Sequence, residues 1–162
     1  MASIQYISCL NEGYQSQGFP AYKWSVYDSA PFVKLTKPLN QSKVAIVSSG
    51  GIFKKDQEPF DGWAVNEYSQ RIVPVDTSFH ELKLSHNYFD HRDAVKDYNC
   101  VFPIQRIQML AEEGFIGKAA ESAVSLGMGR TYKRSGLFQQ TIPTIVSALQ
   151  NQEVDAALLV AA

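Results

Sequence analysis

Leu82 to Leu110, LKLSHNYFDHRDAVKDYNCVFPIQRIQML, opens as an alternating apolar and polar run, passes two histidines and three aspartates within twelve residues, and closes on a helical pattern. The alternation predicts a strand over 82–85. Pro103 suits the first turn of a helix, where its missing N–H needs no partner, and Ile104, Ile107, Met109, Leu110 and Ala111 form an apolar stripe that Gly114 ends. In open α/β sheets, ligands bind beyond the carboxyl ends of the strands. His86, directly after its strand, therefore stands where an acid/base or ligand role is geometrically available.

Upstream, Lys43–Val47 (KVAIV) is a short β-branched run closed by Ser48-Ser49-Gly50-Gly51, which predicts a buried parallel-type strand entering a glycine turn. Gln70–Val75 (QRIVPV) reads as a short edge strand, because Pro74 has no ladder donor. Downstream, Phe115–Gly129 is ambiguous, since small residues allow a helix over Lys118–Leu126 while Gly117, Gly127 and Gly129 punctuate it, and Thr141–Gln152 reads more firmly as a helix, with Thr141 as a candidate cap and Pro143 in its first turn. Val154–Ala162 (VDAALLVAA) is a hydrophobic core strand by composition. The fold class is a single α/β domain over 43–162, a mostly parallel sheet flanked by helices. Residues 1–42 form an irregular arm rich in aromatics (Tyr6, Tyr14, Phe19, Tyr22, Trp24, Tyr27, Phe32), with a short helix near 1–10, packing on the domain or on a partner.

The 162 residues suffice for one domain with a proper core. Fifteen basic against sixteen acidic side chains leave no electrostatic footprint for nucleic acid or an anionic membrane. No apolar run approaches the ~20 residues of a membrane span, and no signal-peptide order is present, so a cytoplasmic location is expected. Cys9 and Cys100 lack metal or disulfide spacing and are expected reduced and at least partly buried.

Each candidate site residue has two readings. Ser48, Ser49, Gly50 and Gly51 offer amides and hydroxyls to a carboxylate, or form a tight turn that needs glycine. His86, Asp90 and His91 include metal-ligand types, but no HxxxH or HExxH spacing fixes them on one face, and no metal is assigned. Asp90 then counts as a substrate-binding candidate. Asp61 and Arg71 either pair with each other or leave Arg71 to clamp a carboxylate, surface exposure being the default for both. Asp97 and Asn99 are placed to cap the helix that follows.

The ordered set VSSGGIF (47–53), PFDG (59–62), SQR (69–71), SHNYFD (85–90), KDYNCVFPIQRIQML (96–110), EEGFIG (112–117) and VDAALLV (154–160) resembles the family of glycine/sarcosine/betaine reductase component B and the D-proline reductase selenoprotein subunit. The resemblance covers 43–162. It implies reductive cleavage of a C–N bond: a selenocysteine or cysteine attacks the α-carbon of a small amino acid or betaine, the amine leaves, and a neighbouring thiol resolves the product. It also implies a pyruvoyl-containing partner subunit and a thiol or selenol redox partner, with no further cofactor in this chain. His86 would protonate the leaving nitrogen.

In the family the nucleophile follows the strand matching VDAALLV, and the sequence ends at Ala162. One reading is a chain without its nucleophile, a non-catalytic binding or assembly module. The preferred expectation is a UGA codon after Ala162, meant for selenocysteine and read as a stop. Sequencing the genomic DNA past Ala162 decides between them. If 43–47, 82–85 and 154–160 are parallel neighbours, then Ser48–Gly51, His86 and Ala162 emerge at one edge. An open terminal strand and an aromatic arm further predict a homo-oligomer.

Overall fold

The computed structural model describes residues 5–22, 26–127 and 131–162. The chain divides into two units, Met1–Lys34 and Leu35–Ala162. In the first, helix α1 (Tyr6–Ser16) buries none of its residues, and Tyr14 packs against Phe19 and Tyr22 with ring centroids 6.1 and 6.0 Å apart. Of the helix expected near 1–10, residues 1–4 lie outside the described residues; the remainder forms but runs on to Ser16.

The second unit is the α/β body. β1 (Lys43–Ser48) is buried along its whole length, as its β-branched run requires. It pairs parallel with β7 (Ala156–Val160) on one side and with β5 (Lys118–Ala119) and β6 (Ser122–Leu126) on the other. The register against β1 slips by two residues between β5 and β6, a bulge at 120–121. β3 (Gln70–Pro74) adds antiparallel to β6, so Pro74 sits on an edge strand as its chemistry demands. Helix α2 (Ile104–Glu112) starts after Pro103 and stops at Gly114, whose φ of 76° relieves the chain reversal without strain. Ile104 and Ile107 from α2 join Val44, Ile46, Val73, Phe102 and Ala123 in the core.

One open reading is settled and three expectations are corrected. The 118–126 segment forms strands, because Ala123 and Val124 are buried between β1 and β3, and pairing outweighs the helix preference of small residues. β4 (Leu82–Leu84) is no parallel neighbour of β1: it pairs antiparallel with β2 (Ile52–Lys54) in a separate two-stranded sheet. The C-terminal helix begins before Thr141, as α3 (Arg134–Gly136), a π turn over Leu137–Thr141, and α4 (Ile142–Asn151). Pro143 cannot donate into the helix and crowds the carbonyl four residues earlier, and the wide turn accommodates it. Thr141 makes no cap; its hydroxyl donates to the Tyr68 carbonyl at 2.7 Å. Last, β7 is an edge strand whose Leu159 is 75% exposed, and its composition alone had suggested a core strand.

Candidate functional site

The turn from Ser48 to Gly51 ties several strand ends together. Ser48 hydroxyl donates to the Val101 carbonyl and accepts the Gly50 N–H at 3.0 Å. The Ser49 N–H donates to the Val160 carbonyl at 3.0 Å and the Gly51 N–H to the Leu126 carbonyl at 3.1 Å, which joins the turn to the ends of β7 and β6. The Gly51 carbonyl in turn accepts the Ser85 N–H at 2.9 Å. Gly51 has φ 66°, and a Cβ there would lie 2.3 Å from the Ser85 carbonyl oxygen and 3.2 Å from His86 Cβ. Both the conformation and the close approach require glycine.

The Ser49, Gly50 and Gly51 amides are thus all engaged inside the protein. What the turn leaves to a ligand is the Ser49 hydroxyl, which accepts the Ala162 N–H at 3.1 Å. An open crevice of about 260 Å³ lies at this edge, lined by Val47, Ser48, Ser49, Leu126, Leu159, Val160 and Ala161. It stands beyond the carboxyl ends of β1, β6 and β7, where the chain crosses from one side of β1 to the other, the usual place for a ligand in such sheets.

His86 reaches the turn from the small sheet, through Gly51, and not along the main sheet. Its ring is 3% exposed and packs 4.6 Å from Phe89 and 6.0 Å from Tyr88. Nδ1 accepts the Tyr88 N–H at 3.1 Å, whereas Nε2 is buried and has no hydrogen-bond partner. Burial, and secondarily the charge of His91, push its pKa below the ordinary histidine value.

The other candidates have local partners. Asp61 accepts the Trp63 N–H at 2.9 Å. Arg71 donates to the carbonyls of Glu58, Pro59 and Gln70 and to the Ser69 hydroxyl, and its guanidinium lies 4.4 Å from the centre of the Phe60 ring. It braces the 58–60 loop and forms no pair with Asp61. Asp90 is exposed and bonded to Arg92, whose guanidinium holds the carboxyl below its usual range. Asp97 accepts the Asn99 N–H at 3.0 Å and so caps the short turn Tyr98–Cys100, whereas α2, the helix it was expected to cap with Asn99, has Pro103 at its N-cap and no side-chain cap bond. Among the described residues no group of three His, Cys, Asp or Glu is arranged to hold a metal ion. Both cysteines are exposed, against the expected burial; Cys100 sits in a short helical turn before Val101, and it is Val101 that packs on Gly50.

Two polar atoms near this edge escaped sequence reading. Ser125 Oγ and Gln70 Oε1 are buried without partners; Ser125 lies near the carboxyl end of β6 in register with Ser48, and Gln70 opens β3 opposite Leu126. Neither carries a motif.

The family described as glycine/sarcosine/betaine reductase selenoprotein B matches residues 12–162. The chain belongs to that family. Similar proteins include the D-proline reductase subunit gamma of Acetoanaerobium sticklandii, 35% identical over 128 residues, which are 78% of this chain and 51% of that one. The sarcosine reductase complex component B subunit beta of Peptoclostridium acidaminophilum is 33% identical over 107 residues, covering 64% and 24%. The glycine reductase complex component B subunit gamma of Symbiobacterium thermophilum is 26% identical over 148 residues, covering 85% and 32%. The chain spans about half the length of the first relative and a third or less of the other two. No solved structure matches it significantly. The match reaches back to residue 12, into the arm. No helix among the described residues is long and apolar enough to cross a membrane.

Proposed function

We propose that this chain is a subunit of an amino-acid or betaine reductase complex and presents the carboxyl edge of β1, β6 and β7 to a small substrate undergoing reductive C–N cleavage. Family membership supports the reaction class. The observation that carries the placement is the convergence of strand ends, with Ser49 bonded to Val160 and Ala162 while Gly51 abuts Ser85 and His86.

In this reading Ser48, Gly50 and Gly51 shape the edge, Ser49 offers its hydroxyl, and His86 is the polar ring held beside them. Asp61 and Arg71 brace the neighbouring loop, and Asp90 with Arg92 fixes the segment after His86. The nucleophile is assigned to no described residue of this chain. The proposed partners are a pyruvoyl-containing subunit and a thiol or selenol redox partner, in a cytoplasmic, oligomeric assembly that includes further copies of the chain.

A second reading, a non-catalytic assembly protein of the same fold, draws on the arm. Val26, Phe32 and Val33 are each at least 87% exposed, an apolar surface suited to docking on a partner subunit. Co-expression with the remaining subunits of an amino-acid reductase complex tests both. Co-elution with dithiol-dependent turnover of D-proline, sarcosine or glycine supports the reductase subunit, and co-elution without turnover supports the assembly protein. A chain that elutes alone, with no turnover, contradicts both.

A further inference from the structure

We propose that β7 is the edge through which two copies of this chain pair, the two strands running antiparallel across a two-fold axis centred on Leu158. The proposal gives the further copies named above an edge, a symmetry and a register; it rests on that oligomeric reading and not on the reaction class. Its first support is a contrast between two edges of the sheet. β3 is blunted by Pro74, which has no N–H to donate, and by Arg71, whose guanidinium folds back on the 58–60 loop. β7, which among the described residues pairs only with β1, carries neither proline nor charge over Ala156–Val160, and its Leu158 and Leu159 are 46% and 75% exposed. An apolar edge without such devices is a template for another strand.

The second support is the direction of the main chain. The Val160 carbonyl turns to β1, where it accepts the Ser49 N–H. Residues alternate in direction along a strand, so Ala157 and Leu159 turn their N–H and C=O groups outward. Pairing the whole of β7 with its own copy sets Ala157 opposite Leu159, where these outward groups exchange hydrogen bonds, Ala156 opposite Val160, and Leu158 opposite its counterpart. Small residues then meet large ones. The third support is charge. Ala156–Ala162 is uncharged, and the same register sets Asp155 opposite Ala161, so no like charges meet across the axis. The helix leading into β7 has the same chemistry: no charged residue lies between Arg134 and Glu153, although α4 buries none of its residues and leaves Ile142 and Val146 exposed. A charged partner is recognised through complementary charges, which this surface lacks, whereas a second copy needs none. A stable interface takes about 800 Å² from each partner, more than a five-residue strand supplies, and the uncharged α4 is the surface that extends it.

The test is sedimentation equilibrium of the whole chain and of the charge variants L158K and L158E, each first checked for folding by circular dichroism. The unaltered chain is expected to be a dimer. Each variant alone sets like charges face to face at the axis and should raise the dimer Kd on the order of tenfold or more, and mixing the two should restore a dimer of one L158K and one L158E chain. A monomeric unaltered chain, a dimer indifferent to either charge, or charge variants that stay monomeric when mixed overturns the proposal. Should both charge variants fail to fold, A157P decides: it removes only an outward N–H, so a folded monomer is expected, and a persisting dimer overturns the pairing. The two readings fail separately. Turnover in the assembled complex by a chain that stays monomeric refutes the strand pairing alone, whereas a charge-rescued dimer that supports no turnover with the other subunits refutes the reductase subunit alone.

Discussion

The two ends of the parallel sheet treat polar groups in opposite ways. At the amino end, charges are matched. Asp155 accepts the Lys43 N–H and the Lys37 ammonium, both at 2.7 Å, and Glu121 lies 3.1 Å from Lys43 Nζ and 3.8 Å from Lys118 Nζ. Lys43 also donates to the Gln152 carbonyl. At the carboxyl end, His86 Nε2, Ser125 Oγ and Gln70 Oε1 are buried and unmatched. Burial without a partner is costly, so the two ends differ in how far the protein's own groups satisfy their polar atoms, and this difference supports the placement of the site proposed above.

The largest effect is expected at the knot joining the carboxyl strand ends. Gly51→Ala places a Cβ against the Ser85 carbonyl at a φ that side chains disfavour, and should cost about 3 kcal/mol or more in urea unfolding. A loss below about 1 kcal/mol would show that the turn is not tightly held. Ser48→Ala comes next: it strands the Val101 carbonyl and the Gly50 N–H and should cost about 1–3 kcal/mol.

The two ends should also separate by pH. His86 has a folded pKa below its unfolded value near 6.5, so the unfolded chain takes up its proton first. Its contribution is complete above 6.5 and is lost as pH falls through the lowered folded value. His86→Gln should flatten that segment of the stability curve. Asp155 is depressed by Lys37 and by the Lys43 amide, so its contribution is present above its unfolded value near 3.8 and is lost only at more acid pH. Mildly acid conditions should therefore loosen the carboxyl end first, read as faster amide exchange at 85–89 than at 118–121. The smallest effect belongs to Ser125→Ala. Removing a hydroxyl that has no partner should leave stability within about 0.5 kcal/mol or raise it, the reverse of Ser48→Ala in the paired strand.

Much of this was readable in the residues, and the gaps have physical causes. KVAIV declares β1 through its β-branched run, and Pro103 and Gly114 bracket α2. The ordered motifs carried the family, and the functional family match begins earlier than they did. By contrast, Lys118–Leu126 takes its strand conformation from β1 and β3, which no local propensity encodes. A three-residue strand such as β4 cannot announce its partner, so His86 was expected along the main sheet and instead comes to the turn through Gly51. Arg71 was open to a ligand in the sequence because its acceptors are carbonyls of a loop whose course only the fold fixes. Pro143 suggested a helix start where it actually sits beyond a π turn.

The most direct test of the division between the two ends is backbone chemical-shift mapping of the chain titrated with sarcosine. The account predicts saturable shifts at Ser49, Gly51, His86, Leu126 and Val160, with Lys37, Lys43, Lys118 and Asp155 unmoved. Shifts confined to the lysine-bearing end, with 48–51 and His86 silent, would contradict it.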